Sequence, residues 1–161
     1  MLIGLLSDTH MPLRARVLPD EVFAAFEGVD LILHAGDLNT LDMLDPLAAL
    51  APVRAVHGNT DPWDVTHALP ATLTLELAGL VVGLTHGHPG GPGATPDRAA
   101  RTFPDADVVV FGHSHQPLIA QRGSQLLVNP GSPTDRRWAP QRSVARLWIG
   151  EGQARAELVL W

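Results

Sequence analysis

Five short apolar runs in this chain end in polar residues of one chemical kind. Leu2–Leu6 runs into Ser7-Asp8-Thr9-His10, Leu31–Leu33 into His34-Ala35-Gly36-Asp37, and Val53–Val56 into His57-Gly58-Asn59-Thr60-Asp61. Val81–Leu84 runs into Thr85-His86-Gly87-His88, and Val108–Phe111 into Gly112-His113-Ser114-His115. Imidazoles and carboxylates without thiolates are donors that borderline divalent metals take. The candidate ligands are Asp8, His10, Asp37, Asn59, His86, His113 and His115. A mononuclear catalytic site needs about three protein ligands, so this larger set predicts two ions. Two catalytic ions sit roughly 3.5–4 Å apart and share a bridging carboxylate; Asp37, on a tight turn after Gly36, suits that bridge. Gly36, Gly58, Gly87 and Gly112 each adjoin a candidate ligand. Glycine permits the sharp turns and close backbone approach that a crowded centre needs.

Such residues need a scaffold that gathers them. Leu18–Phe26 has apolar residues at helical spacing, and part of Asn39–Leu50 reads as helix, with Asp45 as N-cap and Pro46 at the first helical position. Strands alternating with helices predict βαβ units and a largely parallel sheet. In open α/β sheets the C-terminal strand ends form the ligand crevice, which would pool the five polar clusters. From Thr72 the pattern changes. Thr72–Leu77 alternates with period two, and Ala78-Gly79 turns it into Leu80–Thr85 as a hairpin. A helix over about Thr95–Phe103 leads to Val108–Phe111. The last third reads as two antiparallel hairpins, one around Arg122-Gly123-Ser124 and one around Gly150-Glu151-Gly152, closing a second sheet over the first. The loop Gly87–Pro96 reads as a mobile surface connection or a flap beside a site.

The chain has 161 residues, with no Cys and a formal net charge of −6. That length fits one domain, 1–161. Absence of Cys excludes disulfides, thiolate metal sites and thiol nucleophiles. Every basic residue is Arg, and no basic cluster argues for binding a nucleic-acid polymer. The N-terminus lacks a signal-peptide pattern and no apolar run suits a membrane span. The expectation is a cytoplasmic protein that does not enter membranes.

The motifs "DTH" at Asp8–His10, "GD" at Gly36-Asp37, "GNTD" at Gly58–Asp61, "THGH" at Thr85–His88 and "GHSH" at Gly112–His115 resemble the calcineurin-like metallophosphoesterases. Their order and spacing are similar to the compact YfcE-like phosphodiesterase branch, and the likeness runs through "NPGS" at Asn129–Ser132. The resemblance implies a four-layer α/β/β/α sandwich of two mixed sheets flanked by helices. It implies that Asp8, His10, Asp37 and His115 hold one metal, and that Asp37, Asn59, His86 and His113 hold the other. The wider superfamily often has a His after the Asn, thought to assist the leaving group. Here that residue is Thr60, a departure shared with the compact branch.

The expected chemistry is hydrolysis of a small phosphodiester by a hydroxide bridging two divalent ions, with Asp37, Asn59 and His86 nearest the reaction. Manganese is the favoured metal; iron, nickel, cobalt and zinc suit the same donors. A phosphomonoesterase would share every ligand, and a non-enzymatic scaffold has a precedent in the retromer subunit of this fold. His34 and His57 read as packed or ligand-supporting histidines; His88 and Thr60 are candidates for substrate contact. Asp61 reads as a cap or a support for Asn59, and His67 as a solvated loop residue. Arg136 and Arg137 read as surface residues, with phosphate contact the alternative. The tryptophans read as core or interface, Trp63 excepted, which lies in the loop after Asp61 and could flank a substrate. A homodimer fits the short chain and four Trp.

Overall fold

In the computed structural model of the protein, the uninterrupted apolar runs become central strands, because a strand covered on both faces has no polar side to show. The structure describes residues 1–89 and 91–161; residue 90, inside the expected Gly87–Pro96 loop, lies outside them. Strand β1 (Leu2–Leu6) pairs parallel with β2 (Leu31–His34), and β2 parallel with β3 (Val53–Ala55). In the second sheet β5 (Leu80–Thr85), β6 (Val108–Val110) and β8 (Gln125–Asn129) run parallel. At its edges lie β4 (Thr72–Leu77) and β7 (Leu118–Arg122), both antiparallel. On β4 the alternation is kept: Leu73, Leu75 and Leu77 pack on the core, while the positions between them are exposed.

The two sheets stack face to face. Ile3, Leu5 and Leu33 from one meet Val82, Leu84, Val110 and Val128 from the other, all fully buried. Each such side chain contributes about 1.5–3 kcal/mol on burial. Outside the first sheet lie α1 (Asp20–Ala25), a 3-10 turn (Leu41–Leu44), α2 (Asp45–Ala48) and α3 (Trp63–Ala68). They bury Val22, Phe26, Met43, Leu47 and Val65 against Leu6 and Ile32. Outside the second sheet, α4 (Thr95–Thr102) buries Ala99 and Ala100 against Val109, Phe111 and Leu127. The result is the expected four layers, helix, sheet, sheet and helix.

Four local expectations need correction. The last third does not form one sheet. The hairpin β9 (Ser143–Gly150) and β10 (Gln153–Leu160) joins the first sheet, with Ile3 opposite Leu147, while β7 and β8 join the second. Both hairpins carry similar apolar alternation, which fixes a face but not a partner. Asp45 is the first residue of α2 and caps nothing with its side chain; its N–H already bonds Asp42 O in the preceding 3-10 turn. Trp63 and His67 lie in α3 rather than a loop; this helix buries only Val65, too little to show periodicity. Trp138 is 91% exposed, so it is not core.

Candidate metal centre

All the parallel strands of both sheets deliver their C-terminal ends to one edge of the sandwich. The five clusters meet there, joined by a sixth after β8 that carries no metal-ligand pattern in the sequence. Ser132 Oγ donates to Asp8 O at 2.8 Å, and Thr134 Oγ1 to Thr9 O at 2.7 Å, so this turn fixes the loop after β1.

The loops hold their ligands by unusual backbone. Among the described residues, Asp8, His10, Asp37, Asn39, His113 and His115 all have positive φ, between 44° and 71°. They form three i, i+2 pairs. The histidines at 113 and 115 therefore do not share a face on extended backbone; each left-handed residue turns the chain instead. Left-handed backbone at a non-glycine costs roughly 1–3 kcal/mol and survives only where its surroundings dictate it. Close approach explains two of the glycines. A Cβ at Gly58 would collide with the Asp37 carboxylate and lie 2.6 Å from its N, and one at Gly112 would collide with Ser7 Oγ.

Five side chains converge: Asp8, His10, Asp37, His86 and His115, all buried. His115 Nε2 lies 3.2 Å from Asp8 Oδ1 and 3.2 Å from His10 Nε2. Asp37 Oδ2 lies 3.3 Å from His86 Nε2 and 3.6 Å from His10 Nε2. Two overlapping ligand groups result, Asp8 with His10 and His115, and Asp8 with Asp37 and His86.

The tautomers say what this cluster is for. His10 Nδ1 donates to Asn39 Oδ1 at 3.0 Å, and Asn39 Nδ2 donates to Thr60 O at 2.8 Å, which fixes the amide orientation. His86 Nδ1 donates to Ala35 O at 2.8 Å, and His115 Nδ1 donates to Asp135 O. With each Nδ1 carrying a proton, three Nε2 lone pairs face two carboxylates. Lone pairs of His10 and His115 opposed at 3.2 Å repel unless a cation lies between them. Asp8 Oδ1 and His86 Nε2 are buried with no hydrogen-bond partner among the described residues. Buried polar groups rarely stay unpaired, and buried charge needs a counterion. The donor set fits a divalent metal.

The charges agree. Burial opposes ionisation of Asp8, but the His115 and His86 rings and the Ser7 hydroxyl hold its carboxyl below the usual range. Burial likewise opposes ionisation of Asp37, and the adjacent His86 ring with the Thr60 N–H at 2.9 Å overcomes it. Burial disfavours a charged His86, yet Asp37 and Asp8 raise its pKa, so the two carboxylates favour positive charge at Nε2, whether a proton or a metal ion supplies it. The centre is an anionic pocket that attracts positive charge.

The remaining expected residues surround it. Asn59 is exposed, and His113 Nδ1 donates to its Oδ1 at 3.0 Å, at the rim. His113 and His88 rings lie 5.2 and 5.4 Å from the His86 ring. Burial and the neighbouring His86 and His113 push His88 down to about 4. His57 donates from Nδ1 to Gly58 O, and its ring lies 6.3 Å from that of His88. Buried His34 accepts the Gly36 N–H on Nδ1 and bonds Thr9 Oγ1 with Nε2 at 3.0 Å. Desolvation pushes its pKa down to about 3. It packs under the ligand loops and is not aimed into the cluster. Asp61 acts as a cap rather than through Asn59: its carboxylate accepts N–H bonds from Asp37, Asn39 and Gly58 at 3.0, 2.6 and 2.7 Å. Asn39 and the Asp135 carbonyl, which set two tautomers, were not singled out in the sequence. Asn39, two residues past Asp37 in a turn, offered a faint signal; a backbone carbonyl offers none.

A family model for the calcineurin-like phosphoesterase superfamily domain matches residues 1–152. A protein named "Probable metallophosphoesterase" from Methanothermobacter thermautotrophicus is 46% identical over 160 residues, covering 99% of this chain and 92% of that protein. A phosphodiesterase from Methanocaldococcus jannaschii is 29% identical over 143 residues, which is 81% of this chain and 83% of its own. Among solved structures, Vps29 from Entamoeba histolytica complexed with zinc superposes with a TM-score of 0.79 at 26% identity, covering 99% of each chain.

Proposed function

The chain belongs to the calcineurin-like phosphoesterase superfamily, and from that premise we propose that it hydrolyses phosphodiester bonds of small substrates with two divalent ions. Asp8, His10, Asp37 and His115 hold one ion, and Asp37, Asn59, His86 and His113 the other. The observation that carries this reading is the convergence of three bare Nε2 lone pairs on two buried carboxylates. Asp37 Oδ2 lies within 3.6 Å of a histidine from each set, as a shared ligand requires. His113, with its Nδ1 proton on Asn59 Oδ1, has the tautomer of the other three. Asn59 Oδ1 keeps a second lone pair for a metal.

When bound, divalent ions lower the pKa of water and neutralise phosphoryl oxygens. The chain's own residues hold that chemistry in place. Asn39, Ala35 and Asp135 fix the imidazoles, and Thr60 holds Asp37 through its N–H. Rigid preorganisation of this kind avoids reorganisation during the reaction. The Thr60 hydroxyl is a poor proton donor near neutral pH, which favours esters with good leaving groups. Diesters are therefore preferred over monoesters, and a small molecule over a nucleic-acid polymer.

The test is metal add-back to stripped protein, with turnover of bis(p-nitrophenyl) phosphate and p-nitrophenyl phosphate compared. Metal-dependent turnover with the diester faster is expected, manganese being the favoured ion. A faster monoester overturns the diester preference. No turnover with any of manganese, iron, nickel, cobalt or zinc points to a non-enzymatic scaffold of the same fold. Asp37→Asn should lower turnover by about 100-fold or more, together with metal content.

A further inference from the structure

Two arginines stand directly beside the metal centre without taking part in it. Asp135, whose carbonyl oxygen holds His115 Nδ1, turns its carboxylate to Arg14 and Arg137. Arg14 Nε lies 3.1 Å and Arg137 Nε 4.0 Å from the same Oδ2. Both arginines are tied to ligand-bearing loops. The Arg14 N–H bonds His10 O at 2.8 Å, and Arg137 Nη1 reaches His113 O at 3.5 Å. Three of the four histidines of the centre thus lie one bond from this trio.

Two guanidinium groups against one carboxylate leave a net positive charge. Asp135 engages the Nε edge of each, and no described residue bonds the Nη groups of Arg14. An outward guanidinium fork matches a carboxylate or phosphate oxyanion. The arginine side chains are 62% and 41% exposed, so a substrate can reach them. Neighbouring Arg136 is different: its Nη1 donates to Ala139 O at 2.8 Å and closes the turn.

We propose that Arg14 and Arg137 form a second anion site, which takes a carboxylate or phosphate group on the substrate beyond the scissile phosphate. This rests on the phosphoesterase reading above and narrows its substrate class to esters that carry a second anionic group. Neither the five strand-end motifs nor the ligand set implies such a site.

The test is calorimetric binding to the manganese-supplemented protein of methylphosphonate, phosphonopropionate and propylenebisphosphonate. The first has one anionic group; the others add a carboxylate or a second phosphonate. Wild-type protein should bind at least one double anion about tenfold more tightly than methylphosphonate, as one charged hydrogen-bonded contact supplies. The better of the two names the anion. Arg14→Ala and Arg137→Ala should each bring that ratio towards one, and Arg136→Ala should keep it. Equal affinities in the wild type, or a ratio that survives in the Arg14→Ala/Arg137→Ala double variant, overturn the proposal. Turnover of bis(p-nitrophenyl) phosphate on the same samples checks the hydrolase reading separately. A preference without turnover leaves the anion site and removes that reading; turnover without preference does the reverse.

Discussion

At the scale of the residue, a histidine is ready for a metal when one ring nitrogen is committed and the other is bare. His10, His86 and His115 meet that condition through Asn39, Ala35 and Asp135. Partners of this kind raise ligand basicity and fix ring orientation, and losing one lowers metal affinity roughly 10–100-fold. Asn39→Ala should therefore weaken manganese binding by that factor in a titration, with the fold intact by circular dichroism; unchanged affinity would remove Asn39 from this role. His34 gives a different prediction. Its folded pKa, pushed down to about 3, lies below the ordinary value of 6.5. The unfolded chain then binds a proton that the folded one refuses, so stability falls as pH drops from about 6.5 towards 3. The slope from this residue is about 1.4 kcal/mol per pH unit. Denaturant midpoints measured across that window should steepen in wild type relative to His34→Gln. Parallel profiles for the two proteins would contradict a neutral, buried His34.

At the scale of the element, strands supply position and the loops supply direction. The parallel strands end at one edge, and paired left-handed residues turn the loops after β1, β2 and β6 towards the centre. Asp61 ties two of these loops together, taking N–H bonds from Asp37 and Asn39 after β2 and from Gly58 after β3. Asp61→Ala leaves those N–H groups unpaired, each costing about 1–3 kcal/mol. A loss of roughly 3 kcal/mol or more in unfolding free energy is expected, with weaker metal binding; a loss below about 1 kcal/mol would show that water replaces the carboxylate without strain. Sequence periodicity made β1, β2, β4, β5 and β6 legible because each is a continuous or alternating apolar run. It missed α3, whose burial rests on Val65 alone, and it could not choose sheets for the two C-terminal hairpins.

At the scale of the whole molecule, a chain of net charge −6 gathers buried carboxylates and imidazoles at one edge. Folding brings these groups together before any counterion is counted, so metal binding and stability are linked. Manganese at about 100 times its dissociation constant should stabilise the fold by about 2.7 kcal/mol. In a domain of this size that is a rise of roughly 5–11 °C in Tm, reversed by chelator. A Tm indifferent to manganese, zinc and chelator alike would argue that the cluster is closed to metal. Among the described residues no helix is long and apolar enough to cross a membrane.

The sequence by itself marked Asp8, His10, Asp37, His86 and His115 at the ends of its apolar runs, and its motifs implied the layered α/β/β/α fold through their resemblance to a known family. Apolar runs ending in the same donor types are local patterns, and local patterns are written in residue order. Tertiary structure decided what no local pattern carries. It chose the sheet for each hairpin, brought Asn39 and the Asp135 carbonyl to the ligand rings, and set Arg14 beside Arg137. Those pairings join residues as far apart as Leu2 and Trp148, and they exist only once the chain has folded back on itself and the strand ends have met.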